Sequence, residues 1–327
     1  MLRLPRFDFL TPATPRDAAL LLRDAGTAML VAGGTDLVPK MKRRQQQPDI
    51  LISLGRMTGL RGVSRDGSGV RIGAMTTLTD LAEHPALPRE FRVLREAAAS
   101  VSTPQLRNAG TLGGNLCLDT RCNWYDQSLF WRQAAGYCMK THANVVCRVA
   151  TSSSRCLATA SADTVPALLA LDARVTVTGP DGEREFGLDD MYREDGIHYL
   201  TLSRSDVVTS IRIPPRDGWV STYAKLRERQ AFDFPIAGVA IALTLAAGVV
   251  DDARVAVTGL GSRATLVAAA ADALRGRPLA EDTIAAAATA TQRASRPMDN
   301  TSGTIAARRI AVKVMTERAL KQLATRN

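Results

Sequence analysis

At 327 residues, 46% of them apolar, the chain can bury a sizeable core and divide into two or three domains, which excludes a disordered or fibrous protein. The net charge is +10, but the basic residues are scattered apart from Lys40-Met41-Lys42-Arg43-Arg44, so nucleic acid is not an expected partner; that run reads as a solvated helical face, with an acidic partner or a nucleotide phosphate second. The longest apolar run, 236–250, is interrupted by Thr244 and too short for a bilayer, and the N-terminus leads into no apolar export segment, so no membrane contact is expected and the protein is read as cytoplasmic.

Thr14-Pro15-Arg16-Asp17 joins a capping hydroxyl, a proline suited to the first helical position and an acid in the first turn, so a helix is predicted through 18–23. Residues 28–31 read as a short buried strand running into Ala32-Gly33-Gly34-Thr35-Asp36-Leu37, a turn followed by a short helix through Met41. Glycines at a strand end let backbone N–H groups approach a phosphate with no Cβ in the way, although a strand-to-helix turn also needs glycine for geometry alone. Strands at 49–54 and 70–72, a helix over 78–83 capped near Thr77 and another over 90–99 complete an α/β layer. Arg107-Asn108-Ala109-Gly110-Thr111-Leu112-Gly113-Gly114-Asn115 is a second glycine turn. One such loop means little, but two in one domain suit a clasp on the two phosphates of a dinucleotide.

Next comes a stretch with no helical or strand period, holding all five cysteines, Cys117, Cys122, Cys138, Cys147 and Cys156. It also carries Trp124, Tyr125, Phe130, Trp131 and Tyr137, five of the fifteen aromatics of the chain. Beyond it, Ser161-Ala162-Asp163-Thr164-Val165-Pro166 precedes an apolar helical stretch at 167–171. Residues 175–177 and 207–213 read as strands of a sheet edge, and Pro214-Pro215 closes the domain. The expected division is 1–217, with a cysteine-rich insertion at about 117–157, and 218–327. The second part reads as strands at 223–227, 239–245 and 254–258 followed by helices at 264–274, 281–293 and 305–324, a smaller α+β domain.

Two motifs compete for a nucleotide. Gly259-Leu260-Gly261-Ser262-Arg263-Ala264 after a strand matches a dinucleotide fingerprint, but about twenty residues on the sequence is Arg277-Pro278-Leu279-Ala280-Glu281-Asp282, a helix start where a second parallel strand should end in an acid. A tight structural turn is the preferred reading. For the cysteines, a reducing compartment favours ligands over disulfides. No C-x-x-C pair is present, so zinc-ribbon, thioredoxin and bacterial ferredoxin patterns fail. From spacing alone, a [4Fe–4S] cluster and structural zinc stand level, with unligated core cysteines below them.

The loops Ala32 to Leu37 and Thr111 to Leu116, with Ser161-Ala162-Asp163-Thr164-Val165-Pro166-Ala167-Leu168, resemble the FAD-binding (medium) subunit of the xanthine dehydrogenase and carbon monoxide dehydrogenase (molybdenum hydroxylase) family. Tyr223-Ala224-Lys225-Leu226-Arg227 and Val255-Ala256-Val257-Thr258-Gly259 resemble its C-terminal domain. The implied fold class is α+β, a two-part PCMH-type FAD-binding domain followed by a smaller α+β domain. Most members have only a short link after the second glycine loop; here it is expanded by roughly forty residues, an insertion similar to that of the 4-hydroxybenzoyl-CoA reductase β subunit. The resemblance implies Cys122, Cys138, Cys147 and Cys156 as ligands of a [4Fe–4S] cluster, with Cys117 left over as a small buried residue. It implies that Leu30, Val31, Ala32, Gly33, Gly34, Thr35, Asp36 and Leu37, with Thr111, Leu112, Gly113, Gly114 and Asn115, hold the FAD pyrophosphate through backbone N–H groups. Asp163 would bind the ribose or adenine side, Val208 would pack near the flavin and Lys225 would lie close to the isoalloxazine. The partners implied are a large molybdopterin subunit and a small subunit with two [2Fe–2S] clusters in a dimer of heterotrimers, with ferredoxin supplying electrons for reductive dehydroxylation and all substrate chemistry in the large subunit. Another molybdenum hydroxylase, such as an aldehyde or xanthine-type dehydrogenase, and a zinc-stapled binding module are the alternatives.

Overall fold

The computed structural model describes residues 3–325. Its first unit is a parallel sheet of β1 (Asp8–Leu10), β2 (Ala28–Val31) and β3 (Ile50–Ser53) in the order β1-β3-β2. Helix α1 (Pro15–Asp24) follows β1 and opens as its sequence demands, with Thr14 Oγ1 accepting from Asp17 N at 3.1 Å and proline in the first turn. Its Ala18, Ala19 and Leu22 pack on Ile52 and Leu54. Helix α2 (Leu37–Lys42) follows the first glycine loop between β2 and β3.

A five-stranded antiparallel sheet follows, ordered β4-β5-β8-β6-β7, from β4 (Val63–Asp66), β5 (Gly69–Gly73), β6 (Arg174–Gly179), β7 (Gly182–Gly187) and β8 (Val207–Ile213). Between β5 and β6 the chain makes α3 (Leu78–Glu83), α4 (Arg92–Ser100), α5 (Pro104–Arg107), α6 (Leu112–Leu116), α7 (Leu129–Ala134) and α8 (Thr164–Ala170). Residues 175–177 and 207–213 do form strands, but β8 lies in the middle of the sheet, not at its edge. Its near-continuous burial matches an interior strand.

The last part is an antiparallel sheet β12-β11-β10-β9, made of β9 (Val220–Leu226), β10 (Ala237–Ala246), β11 (Val249–Thr258) and β12 (Thr265–Leu266), covered by α9 (Ala268–Leu274), α10 (Glu281–Ala294) and α11 (Ile305–Ala324). Residues 265–266, expected as helix, instead pair antiparallel with β11. That pairing also settles Gly259-Leu260-Gly261: the segment leads from one antiparallel strand to the next, so no βαβ unit exists there, and the Ser262 N–H donates to Glu194 Oε1 at 2.8 Å. Helix α8 joins the two larger sheets. All seven of its residues are buried, and Val165, Leu168 and Ala170 belong to one core with Val175 and Ile211 on one side and Ala240, Ala242 and Ala256 on the other. Burying a leucine such as Leu168 contributes roughly 1.5–3 kcal/mol, so the two halves share a substantial apolar seam.

Candidate flavin and four-cysteine site

Where the two glycine loops meet, they open a cavity of about 1540 Å³. The loops touch directly, since a Cβ on Gly33 would overlap the carbonyl oxygen of Ala109. Gly34 has φ +70, a conformation open to glycine at little cost. Residues from the C-terminal part close the far side, among them Arg229, Phe232, Phe234 and Thr301. Sequence reasoning gave that part no role in the site.

Of the expected flavin residues, Leu30, Val31, Ala32, Gly33, Gly34, Thr35, Asp36, Leu37, Thr111, Gly113, Gly114, Asn115, Asp163 and Val208 line the cavity. Leu112 does not, being fully buried in the core beneath the loop. Lys225 does not either: its Nζ donates to Asp163 Oδ2 at 2.9 Å and to the Ser100 carbonyl at 3.1 Å. Tyr223 Oη donates to the other Asp163 oxygen at 2.7 Å. Asp163 is therefore a buried tie between α8 and β9 as well as a cavity residue. Burial pushes its pKa up even against the Lys225 charge, and burial pushes the lysine's down.

The two loops differ in what their backbones offer. In the second, Leu112 N donates to Thr76 O at 2.9 Å, Gly113 N to Ala74 O at 2.8 Å, Gly114 N to Thr111 Oγ1 at 3.1 Å and Asn115 N to Thr111 O at 2.9 Å. Those N–H groups shape the loop and are not free for a phosphate, which corrects the expectation for Thr111 to Asn115. In the first loop, among the described residues, the N–H groups of Gly33, Gly34, Thr35 and Asp36 meet no acceptor. Ser161 Oγ, Thr301 Oγ1 and Gln45 Oε1 are also buried on the cavity wall without a partner. Buried polar groups left so are costly, and a polar ligand with many acceptors and hydroxyls fits them.

Beside this cavity lies a smaller pocket lined by Cys122, Cys138, Cys147 and Cys156, all buried as free thiols. The structure thus gathers the four expected ligands and leaves Cys117 on the larger cavity, where burial pushes its pKa up to about 12. Burial also pushes Cys122 up to about 12, with Cys138 and Cys156 adding to the effect. Among the described residues, however, no group of three or more His, Cys, Asp or Glu side chains is close enough to hold a metal ion. The expectation of a ready-made ligand set is corrected to four thiols around one pocket, and a single zinc, with Zn–S bonds of about 2.3 Å, finds no preformed tetrahedron there.

The wall between cavity and pocket is charged. Asp119 accepts from Lys140 Nζ at 2.6 Å, and its other oxygen takes Lys40 Nζ and, at 3.0 Å, Tyr125 Oη. Burial would raise the Asp119 pKa, but the two ammonium groups hold it well below the usual carboxylate range. Lys40 is 2% exposed, so the expected solvated face at 40–44 is wrong at its first residue: α2 turns that lysine inward onto an acid of the insertion. Arg121 likewise ties the insertion to the first loop through Asp36, and its guanidinium lies 4.2 Å from the Phe234 ring centroid. Lys40, Asp119, Arg121 and Lys140 were not singled out from the sequence. Isolated charges carry no spacing signal, and only the unusual Lys-Met-Lys alternation of α2 hinted at an inward cation.

The FAD binding domain in molybdopterin dehydrogenase matches residues 5–216, and the CO dehydrogenase flavoprotein C-terminal domain matches 221–323. The chain is 30% identical to the carbon monoxide dehydrogenase medium chain of Hydrogenophaga pseudoflava over 97% of its own length and 96% of that protein's. It is 32% identical to the aldehyde oxidoreductase FAD-binding subunit of Escherichia coli (strain K12), covering 93% and 95%. Among solved structures, carbon monoxide dehydrogenase from Hydrogenophaga pseudoflava aligns with TM-score 0.81 at 28% identity, covering 98% and 97%, and that from Oligotropha carboxidovorans with TM-score 0.82 at 25% identity, covering 99% and 100%. The chain belongs to the FAD-binding medium subunits of the molybdenum hydroxylase family and is an oxidoreductase subunit. That membership excludes the zinc-stapled, non-redox module. Among the described residues no helix is long and apolar enough to cross a membrane.

Proposed function

We propose that the chain relays electrons within a molybdenum hydroxylase complex, holding FAD in the large cavity and a [4Fe–4S] cluster between Cys122, Cys138, Cys147 and Cys156, in the cytoplasm beside a molybdopterin subunit and a [2Fe–2S] subunit. The observation that carries this reading is the juxtaposition of the two sites: a cavity with unpaired N–H and hydroxyl groups abuts a pocket of four buried thiols. A cluster sits between its sulfurs and keeps them further apart than one ion does, which suits thiols that share a pocket without meeting at a point. When bound, FAD supplies a group that exchanges one or two electrons. The chain's own part is to grip it: Gly33 to Asp36 present N–H groups to the diphosphate, Ser161 and Thr301 present hydroxyls, and Val208 closes the wall with an apolar surface.

Similarity to an aldehyde oxidoreductase subunit and to carbon monoxide dehydrogenase medium chains favours a complex that oxidises a small substrate such as an aldehyde and sends electrons outward. The reductive 4-hydroxybenzoyl-CoA reading, with ferredoxin as donor, is second. It rests on the cysteine insertion alone, and the relatives reported above lend it nothing. A visible spectrum with iron, sulfide and flavin analysis of anaerobically purified protein should show one flavin and about four iron atoms per chain. Cys138→Ser should lose the iron and keep the flavin. A colourless or iron-free preparation refutes the cluster, and turnover of aldehydes against the aromatic thioester by the assembled complex separates the two substrate readings.

A further inference from the structure

Cys122, Tyr125 and Lys140 line both the large cavity and the four-cysteine pocket. The partition is therefore a single layer of side chains, and Tyr125, 3% exposed, is its aromatic member. The ring is fixed from several directions. Its backbone N donates to Cys122 O at 2.9 Å, its carbonyl accepts from Gln45 Nε2 at 2.9 Å, and its hydroxyl donates to Asp119 Oδ2 at 3.0 Å. The ammonium groups of Lys40 and Lys140 lie 4.6 and 4.7 Å from its centroid, each also held by Asp119.

We infer that Tyr125 is the positioning residue through whose packed ring single electrons pass between the two centres, an inference that rests on the cavity holding FAD and the pocket a cluster. Each transfer takes one electron from the reduced flavin and converts one Fe(III) of the cluster to Fe(II), or runs in reverse. No proton crosses the wall. The tyrosine hydrogen points at a carboxylate already paired with two ammonium groups, which makes it a weak base, and two adjacent cations oppose positive charge on the ring. Tyr125 is thus a passive medium and not a radical stopping place. Its alternative role, plain packing, would let any apolar side chain replace it.

The test uses full-length protein loaded with flavin and iron, carrying Tyr125→Phe or Tyr125→Leu. Cofactor content is measured first; the flavin is then photoreduced with a sacrificial donor, and flavin bleaching and the iron–sulfur EPR signal are followed by rapid freeze-quench. Tyr125→Phe should keep the exchange rate, and Tyr125→Leu should lower it by about tenfold or more at unchanged cofactor content. Should the leucine variant lose a cofactor, Tyr125→Met gives the same comparison with a longer side chain. An iron-loaded leucine or methionine variant exchanging at the wild-type rate overturns the inference, as does a phenylalanine variant as slow as the leucine one. Wild-type protein that binds no iron overturns the cluster reading itself, a different and earlier result.

Discussion

Replacing Asp119 by Asn keeps the volume and removes the one charge that two buried lysines share. Their side chains are 2% and 7% exposed, so neither turns to water without unpacking the wall. Breaking a buried ion pair by removing one partner costs about 3–5 kcal/mol. A second route bounds the same quantity. Lys140 keeps acceptors at Gly196 O, 2.7 Å away, and Thr120, whereas Lys40 has no other hydrogen-bond acceptor among the described residues, so Lys40 is the group that sheds its proton. Neutralising a lysine of ordinary pKa 10.5 at pH 7 costs about 4.8 kcal/mol, 3.5 pH units at about 1.36 kcal/mol each, which caps the loss. The sign with pH follows: native Asp119→Asn with neutral Lys40 binds fewer protons than its unfolded chain between pH 7 and 10.5, so its stability rises with pH. Urea unfolding at pH 7 and pH 9 should show a deficit of about 3–5 kcal/mol shrinking by about 2.7 kcal/mol at the higher pH. A variant within about 1 kcal/mol of wild type, or a deficit equal at both pH values, would refute the account of the wall.

Gly33→Ala should push the two glycine loops apart at a cost of about 1–3 kcal/mol and weaken FAD binding in a fluorescence titration, while Gly59→Ala, with open space at its Cβ, should leave binding alone. Lys225→Met leaves Asp163 buried with Tyr223 as its one remaining partner and should lower the thermal midpoint. Adding Asp163→Asn should recover part of the loss, and a further drop would contradict the pairing. Burial raises the Asp206 pKa, but bonds from Arg184 at 2.9 and 2.5 Å and from Ser203 N at 2.7 Å outweigh it and hold the carboxyl below its usual 3.8. Its stabilisation is present above the ordinary carboxylate range and lost as pH falls through the depressed value. The stability gap between wild type and Asp206→Asn should therefore close in acid, and a pH-independent gap counts against it.

Much of the fold was legible because local rules agreed with the final packing. The capped starts at Thr14 and Thr77 fell where the residues placed them, and strand 28–31 and helix 78–83 have the predicted bounds. Misplaced elements share a cause: the central position of β8 and the extended pairing at 265–266 are fixed by neighbouring strands, which no local pattern encodes. The site divides the same way. Its glycine loops and cysteines were visible as motifs, because each needs a particular residue type at a particular place.

From the residues alone came the two backbone bends, the family they resemble and the four thiols that belong together, since periodicity, capping and missing Cβ atoms act within a few positions of chain. Only tertiary packing decided that the second loop spends its N–H groups on itself, that Asp163 and Lys225 tie two domains, and that Lys40 reaches across 79 positions to Asp119 to build the wall behind Tyr125. Those outcomes depend on which distant acceptor a buried donor meets, and a one-dimensional pattern carries no record of that meeting.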